Sequence, residues 1–247
     1  MLDYRNTNRA GHIVCIEDPI EFLHHHKESI IDQREVGLDT HSFTDALHNV
    51  LREAPNVIMI GEIRDRETMQ HALHYSETGH LVLATMHATN TVQAVDRMAN
   101  MFPEDARQQV LGDISMNLAA IIGQRLAKGI HKKRIPVVEV LVRTPYIVNL
   151  IARGETQDIR AAMARATDDK ALQTYDQHLF QLVTQKAITL AEAVRLADSR
   201  NDLVLRAKME ASNPPAAKPV EAQKPKVLPS EPALSPSFDS DLTDDFL

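Results

Sequence analysis

Short apolar runs alternate with amphipathic segments over the first 90 residues of the chain. Runs with the length and composition of buried strands occupy residues 12–17, 30–33, 57–60 and 81–85. Helical periodicity occupies residues 42–52 and 65–77. Ser42 is placed to cap the first helix, and Asp65 starts the second. This order of strand, helix and strand predicts a parallel sheet connected by right-handed crossovers.

From residue 91 the pattern is mainly helical. Helices are predicted over residues 91–101, 104–126, 145–152, 156–165, 174–184, 190–197 and 202–211. A strand-like run at 135–142 interrupts them, and we expect it to be a lone strand. The whole pattern predicts an α/β domain followed by a helical subdomain.

The composition changes abruptly after residue 212. Seven of the 12 prolines stand at residue 214 or later, and no glycine does. This predicts a disordered tail over 212–247. The α/β core is then expected over 1–90, and the remaining strand of the core with the helical subdomain over 91–211. The end of the tail is acidic and either solvated or a docking peptide. Its apolar residues, which could share one helical face, are Phe238, Leu242, Phe246 and Leu247.

Charge and composition exclude several classes of protein. The net charge of −7 and an aromatic content of 4% give no reason to expect nucleic-acid binding. The single cysteine, Cys15, cannot form an internal disulfide, which favours a reducing compartment. No apolar run approaches the about 20 residues needed to span a bilayer, and the first residues do not resemble a signal peptide. We therefore expect a cytoplasmic protein, or one attached to a membrane complex from the cytoplasmic side.

Acidic residues or a histidine follow three of the predicted strands. They are Glu17, Asp18 and Glu21 after the first, Glu62 after the second and His87 after the third. Because the carboxyl ends of parallel strands meet at one edge, we expect these side chains to gather there. The carboxylates would repel one another unless a cation or a basic group offset them. A magnesium–nucleotide complex would supply the cation, and the candidate basic groups are Arg34, Arg64 and Arg66.

Each of these residues also has a structural alternative. Glu62 could hold Mg²⁺ or polarise a water, or it could only cap a turn. His87 could bind a terminal phosphate, or it could be a partly buried histidine with an internal partner. His80 begins the strand that His87 follows, so the two rings cannot share one ion. His71 and His74 are spaced to share a metal on a helix, but an exposed helix surface is favoured because no third ligand stands out.

Four motifs resemble those of the type II and type IV secretion and pilus ATPases, in the same order. They occupy residues 16–22, 33–37, 61–65 and 77–87, and correspond to the Asp box, a linking motif, the Walker B box and the His box. The resemblance covers about residues 1–209 and is nearest to the twitching-motility retraction ATPases. Val148 stands where the retraction motif at residues 144–151 carries arginine, which suits an accessory motor.

The resemblance implies a three-layer RecA-like P-loop NTPase core that uses ATP and Mg²⁺. It implies that Glu21 is the catalytic base, that Glu62 acts on Mg²⁺ through water, and that His80 and His87 are the His-box pair. Glu17, Asp18, Arg64 and His80 then belong to the nucleotide-binding side. The family's phosphate loop, G-x-x-x-x-G-K-[ST], does not occur in the sequence. We therefore expect a core truncated at its amino terminus, with weak ATP binding and negligible hydrolysis by this polypeptide alone.

The resemblance also implies partners and a location. These are a homo- or hetero-hexameric ring with a related retraction ATPase and an inner-membrane pilus platform protein, at the cytoplasmic face of that membrane. Two other readings stay open. One is a non-hydrolytic module that joins a paralogous ATPase ring through residues 91–209, and the other is a metal hydrolase unrelated to nucleotides. Co-purification with an intact pilus ATPase would favour the first, and stoichiometric bound zinc the second.

Overall fold

The computed structural model describes residues 1–131, 133–166 and 171–212. The strands are β1 (Gly11–Glu17), β2 (Ser29–Glu35), β3 (Val57–Ile60), β4 (Leu81–Ala84), β5 (Ala120–Lys128) and β6 (Arg134–Val142). The first helices are α1 (Leu2–Asn8), α2 (Phe43–Val50), α3 (Arg66–Glu77), α4 (Thr91–Asn100) and α5 (Arg107–Asn117). They are followed by α6 (Pro145–Arg153), α7 (Ile159–Arg165), α8 (Tyr175–Thr184), α9 (Leu190–Leu196) and α10 (Arg200–Ser212). The predicted tail, including its apolar end, lies outside the described residues.

Four parallel strands form the main sheet in the order β2-β1-β3-β4. In register, Glu17 lies beside Glu35, Ile16 beside Ile60, and Ile60 beside Ala84. The carboxyl ends of the strands therefore meet at one edge, as the sequence predicts. This mixed α/β fold with a parallel sheet confirms the predicted fold class.

The two faces of the sheet are both buried at β1, which explains the unbroken apolar run there. Val14 and Ile16 belong to a core that extends through α2 and α3 to the later helices. Ile13 and Cys15 face the other way, into a smaller cluster to which α1 contributes Leu2. The sheet is thus held from one side by the helices that follow it.

Side-chain caps fix where α2 and α3 begin. The Ser42 hydroxyl accepts a hydrogen bond from the Asp45 amide at 3.0 Å, and the Asp65 carboxylate accepts one from the Thr68 amide at 2.8 Å. These bonds satisfy amide groups that a first helical turn leaves unpaired. The cap at Asp65 places the start of α3, at Arg66, four residues after Glu62.

The prediction of a continuous helix over 104–126 is wrong. Helix α5 ends at Asn117, and residues 120–128 form β5, which pairs antiparallel with β6 from Ala120–Val142 to Lys128–Arg134. The strand over 135–142 is therefore not a lone strand. The inward positions of β5 include Gly123 and Arg125, so its strand period is not marked by apolar residues.

The hairpin β5–β6 packs against the carboxyl-terminal helices in a second core around Val137, Tyr175 and Leu179. A Cβ added at Gly123 would lie 2.5 Å from the Tyr175 hydroxyl, so glycine lets that ring approach the strand. The first core crosses the predicted boundary at residue 90, because it includes Leu141 and Ile147 as well as the sheet residues. Among the described residues, no helix is long and apolar enough to cross a membrane.

Candidate functional site at the carboxyl edge of the sheet

Gly61 brings the end of β3 against the end of β1. Its amide donates to the Ile16 carbonyl at 2.7 Å, and the following Ile63 amide donates to the Thr85 carbonyl at 2.9 Å. A Cβ at residue 61 would lie 3.0 Å from the Ile16 carbonyl oxygen and 3.1 Å from the Glu17 Cα. Only glycine allows this approach without displacing backbone. The turn carries Glu62 to a position between the ends of β1 and β4.

Glu62 is held between two basic side chains. Arg64 Nη2 donates to Glu62 Oε1, and its Nη1 donates to Asp18 Oδ2 at 3.2 Å. His87 Nε2 lies 3.3 Å from Glu62 Oε2. The hydrogen bond from Arg64 lowers the pKa of Glu62, and His87 adds to the effect. Glu62 is therefore a carboxylate at neutral pH, with a side chain that is 17% exposed.

His87 has a backbone held by α4 and a ring that is largely exposed. Arg97 Nη1 on α4 donates to the His87 carbonyl at 2.8 Å, whereas the His87 side chain is 82% exposed. This arrangement allows the ring to meet a ligand at the sheet edge without disturbing the chain. Arg97 was missed by the sequence reasoning, since its contact joins a loop to a helix ten residues away and no local motif indicates it.

The loop after β1 lies over the ends of β1 and β2. Gln33 Nε2 donates to both Glu17 Oε1 and the Phe22 carbonyl at 2.9 Å, and the Ile20 amide donates to Glu35 at 3.0 Å. Glu21 in this loop is exposed, and within the described chain it makes no hydrogen bond or ion pair. Glu21 thus shares the sheet edge with Glu62 but is not in contact with it.

His80 does not join this group. It precedes β4, at the opposite end of the sheet from His87. Its ring nitrogen Nδ1 lies 3.1 Å from the Thr78 hydroxyl and 3.3 Å from the Tyr75 carbonyl. The His80 ring therefore lies at the turn between α3 and β4, away from Glu62 and His87. A contact of His80 with nucleotide stays a prediction.

Two of the three candidate arginines also have other partners. Arg34 pairs with Glu53 at 2.5 Å, and Arg66 stacks 5.5 Å from the Phe102 ring centroid. Arg64 is the one among them that joins the carboxylates at the sheet edge. Any cation that binds to Glu62 therefore has to share the carboxylate oxygens of Glu62 with Arg64 and His87.

The carboxylate oxygens of Glu62 and Asp18 have the chemistry that Mg²⁺ prefers. Both oxygens of Glu62 already have basic neighbours, so the geometry fits a magnesium ion held through water better than one bound directly. His87 and Arg64 are the groups at this edge that could meet a phosphate. The arrangement can thus orient water and ion on one side of a polyphosphate.

Comparison with known proteins gives a consistent result. A model of the family described as "Type II/IV secretion system protein" matches residues 1–134. The chain is 52% identical over 210 residues to the type IV pilus ATPase PilU of Pseudomonas aeruginosa, a match covering 85% of this chain and 55% of that protein. It is 39% identical over 193 residues to PilT of the same organism, covering 78% and 56% of the two chains.

Solved structures show the same fold. The crystal structure of the pilus retraction motor PilT with bound ADP matches with a TM-score of 0.77 at 40% identity, over 83% of this chain and 58% of that chain. The ATPase DotB of Yersinia pseudotuberculosis matches with a TM-score of 0.71 at 28% identity, over 79% and 52%. The chain spans about half the length of the curated relatives, at 55% and 56% of PilU and PilT. It belongs to the type II/IV secretion system protein family.

Proposed function

We propose that this chain is part of a type IV pilus motor ATPase, of the accessory retraction kind that PilU represents. The observation that carries the proposal is the position of Glu62. It follows a central parallel strand, with Arg64 on one carboxylate oxygen and His87 beside the other. In a chain 52% identical to a pilus ATPase over 210 residues, such a carboxylate suits a role beside the phosphates of ATP.

In this proposal Glu62 acts as a carboxylate, and the hydrogen bond from Arg64 lowers its pKa further. Glu62 and Asp18 would hold Mg²⁺ through water, and the bound ion would neutralise phosphate charge. The exposed His87 ring would donate a hydrogen bond to the γ-phosphate and lose that partner after hydrolysis. His87 would in this way report which nucleotide is bound.

Glu21 is the proposed general base. Its carboxylate is exposed and has no partner among the described residues, so it is free to accept a proton from a water. Glu17 is held by Gln33 and would keep the loop that carries Glu21 over the end of the sheet. Glu21 after β1 and Glu62 after β3 would then act together on the attacking water and the phosphates.

The proposed motor works as a homo- or hetero-hexameric ring with a PilT-like ATPase, on an inner-membrane pilus platform protein at the cytoplasmic face. Val148, on α6, replaces the arginine of the retraction motif and supports the accessory role. Because no phosphate loop occurs in the 247 residues, we expect the chain alone to bind ATP weakly.

A segment exchange tests the function. The part of PilU that matches this chain is replaced by this chain, and ATP hydrolysis and twitching motility are measured. We expect the exchanged protein to hydrolyse ATP, and Glu62→Gln to lower kcat by about 100-fold or more. The matched control is Glu104→Gln, which changes an exposed acid outside the four motifs and should leave kcat unchanged. Full hydrolysis by the Glu62→Gln variant would contradict the proposal.

A second candidate is a non-hydrolytic module that joins the ring of a paralogous pilus ATPase. It would join that ring through residues 91–209, which hold helices α4–α9 and the β5–β6 hairpin. The test is co-purification of the 247-residue chain with PilT, together with the ATPase rate of each alone. Stable association without turnover by this chain would support the module, and failure to associate would exclude it.

A further inference from the structure

Three metal-ligating side chains meet between α2 and α3, on the helical side of the sheet. His48 comes from α2, and Glu67 and His71 come from α3. One ligand atom of each lies within 4.8 Å of the other two. The sequence reasoning paired His71 with His74, one turn further along the same helix. Folding instead brings a histidine of the neighbouring helix to His71 and uses Glu67 on the preceding turn.

The hydrogen bonds of Tyr75 fix the tautomer of His71. The buried Tyr75 hydroxyl donates its proton to the Leu47 carbonyl at 2.6 Å, so it can only accept from His71 Nδ1, which lies 3.1 Å away. His71 therefore carries its proton on Nδ1 and has a lone pair free on Nε2. A ring nitrogen oriented by an outer hydrogen bond in this way is the usual form of a metal-binding histidine.

The other two side chains have no competing partner. Within the described residues, His48 and Glu67 make no hydrogen bond or ion pair, and both are exposed. The His48 and His71 rings meet edge to face, with centroids 4.8 Å apart. A tetrahedral zinc ion needs ligand atoms about 3.3 Å apart, given bonds of about 2.0–2.2 Å. Small rotations of the two exposed side chains would close that difference.

We propose that His48, Glu67 and His71 bind a divalent transition ion of the Zn²⁺ class and so tie α2 to α3. Two imidazoles and one carboxylate favour such an ion over Mg²⁺ or Ca²⁺, which prefer oxygen ligands alone. Three protein ligands leave one position for water. Nothing in the site implies hydrolysis, and the ion would act by joining two helices.

A second group of possible ligands, His12, Asp32 and Glu53, does not carry the same proposal. His12 Nε2 is already paired with Asp32 at 2.7 Å, and its Nδ1 contacts the Glu53 carbonyl at 3.0 Å. The Glu53 carboxylate is paired with Arg34. An ion there would have to break these contacts, so the group serves as an internal comparison.

The proposed ion would affect the start of α3. Glu67 lies in the first turn of α3, two residues after the Asp65 cap and five after Glu62. A link from this turn to α2 would restrain the segment that leads from the sheet edge into the helix. The inference goes beyond the proposed ATPase and does not depend on it, because the site needs neither nucleotide nor a ring.

The test measures zinc binding by the untagged 247-residue chain. Calorimetry with ZnCl₂ gives the affinity, and Co²⁺ substitution gives a visible absorption band that reports coordination by protein nitrogen. We expect one ion per chain, and a loss of affinity of about 10–100-fold in His48→Ala or Glu67→Gln. These changes are at exposed positions, so each variant should fold, which circular dichroism checks.

Two control variants separate this site from the other histidines, of which the chain has 12 in all. His74→Ala removes an exposed histidine on α3 outside the cluster, and Asp32→Asn removes a member of the comparison group. Both should keep the affinity and the Co²⁺ band of the unchanged chain. The proposal is overturned if no ion binds at micromolar zinc, or if the controls lose as much affinity as His48→Ala.

Discussion

Two neighbours lower the pKa of the Glu62 carboxylate, whereas burial raises it. Arg64 is the main cause of its lowered pKa, and His87 is a smaller one. Such an arrangement keeps an acid ionised at a sheet edge where other carboxylates lie close by. Arg64 lies two residues after Glu62. Its ion pair with Glu62 weakens the binding of a cation to that carboxylate.

Replacing Arg64 should therefore change the acid beside it. We expect Arg64→Met to raise the pKa of Glu62 towards the ordinary value for a glutamate, because the main hydrogen-bond donor is lost. His87→Gln should raise it less. Carbon-detected NMR titration of the glutamate side chains measures both. An unchanged pKa of Glu62 in Arg64→Met would show that the ion pair is not formed in solution.

At the scale of elements, some glycines are needed because a side chain would meet neighbouring backbone, and others are not. Gly61 joins β3 to β1 by a close backbone approach, whereas a Cβ at Gly112 in α5 would meet nothing within 4 Å. Glycine thus permits close packing at the end of β3, whereas in α5 it only lowers helix stability. Hydrophobic pattern alone does not distinguish the two cases.

We expect Gly61→Ala to destabilise the fold by about 1–3 kcal/mol, since its Cβ would press on backbone atoms that cannot move away. Gly112→Ala is the matched control and should stabilise α5 by about 0.5–1 kcal/mol. Urea unfolding of the two variants measures the free energies. Equal stability of Gly61→Ala and the unchanged chain would contradict the close approach.

Helix α8 is joined to β6 by a histidine that must stay neutral. The Val138 amide donates to His178 Nδ1 at 2.8 Å, and burial lowers the pKa of His178. A protonated ring has no free lone pair on Nδ1 and cannot accept this bond. Since the folded-state pKa is the lower one, the stabilisation is present above about pH 6.5 and is lost as the pH falls below it.

His178→Gln keeps an acceptor but removes the titration. Between pH 7.5 and 5.5 we expect its free energy of unfolding to fall less than that of the unchanged chain. His131→Gln, at an exposed position, should follow the unchanged chain. Chemical unfolding at several pH values gives the comparison, and parallel curves for His178→Gln and the unchanged chain would refute the assignment.

At the scale of the whole molecule, one core serves both the sheet and the helices after residue 90. Val14 and Ile58 of the sheet share a cluster with Ile147 and Ile151 of α6. The hairpin and the last helices have their own cluster around Leu179. The first 90 residues therefore bury part of their sheet with residues that come much later.

A core mutation in α6 should thus lower the stability of the sheet as well as that of the helix. We expect Ile147→Ala to cost about 2–5 kcal/mol and to increase hydrogen exchange at the amides of β1 and β3. Leu179→Ala should cost a similar amount but act on α8 and the β5–β6 hairpin first. The shared core would be disproved if Ile147→Ala increased exchange in α6 alone.

The sequence by itself determined the parallel sheet, the helix starts at Ser42 and Asp65, and the placing of Glu62 and His87 at one edge. These follow from local periodicity, capping and the rule that parallel strands end together. Tertiary structure alone decided that residues 120–128 are a strand, because two of their inward positions are Gly123 and Arg125. Both of these residues pack against Tyr175, and the strand pairs with β6.

Tertiary structure also decided which side chains became partners. Three examples join different elements or a loop and a helix: Arg97 with His87, Gln33 with Glu17, and His48 with His71. No local pattern encodes them, since they depend on how helices and strands pack rather than on the spacing within one segment. The chemistry of the site was therefore readable from strand ends, whereas its electrostatics and its neighbours required the fold.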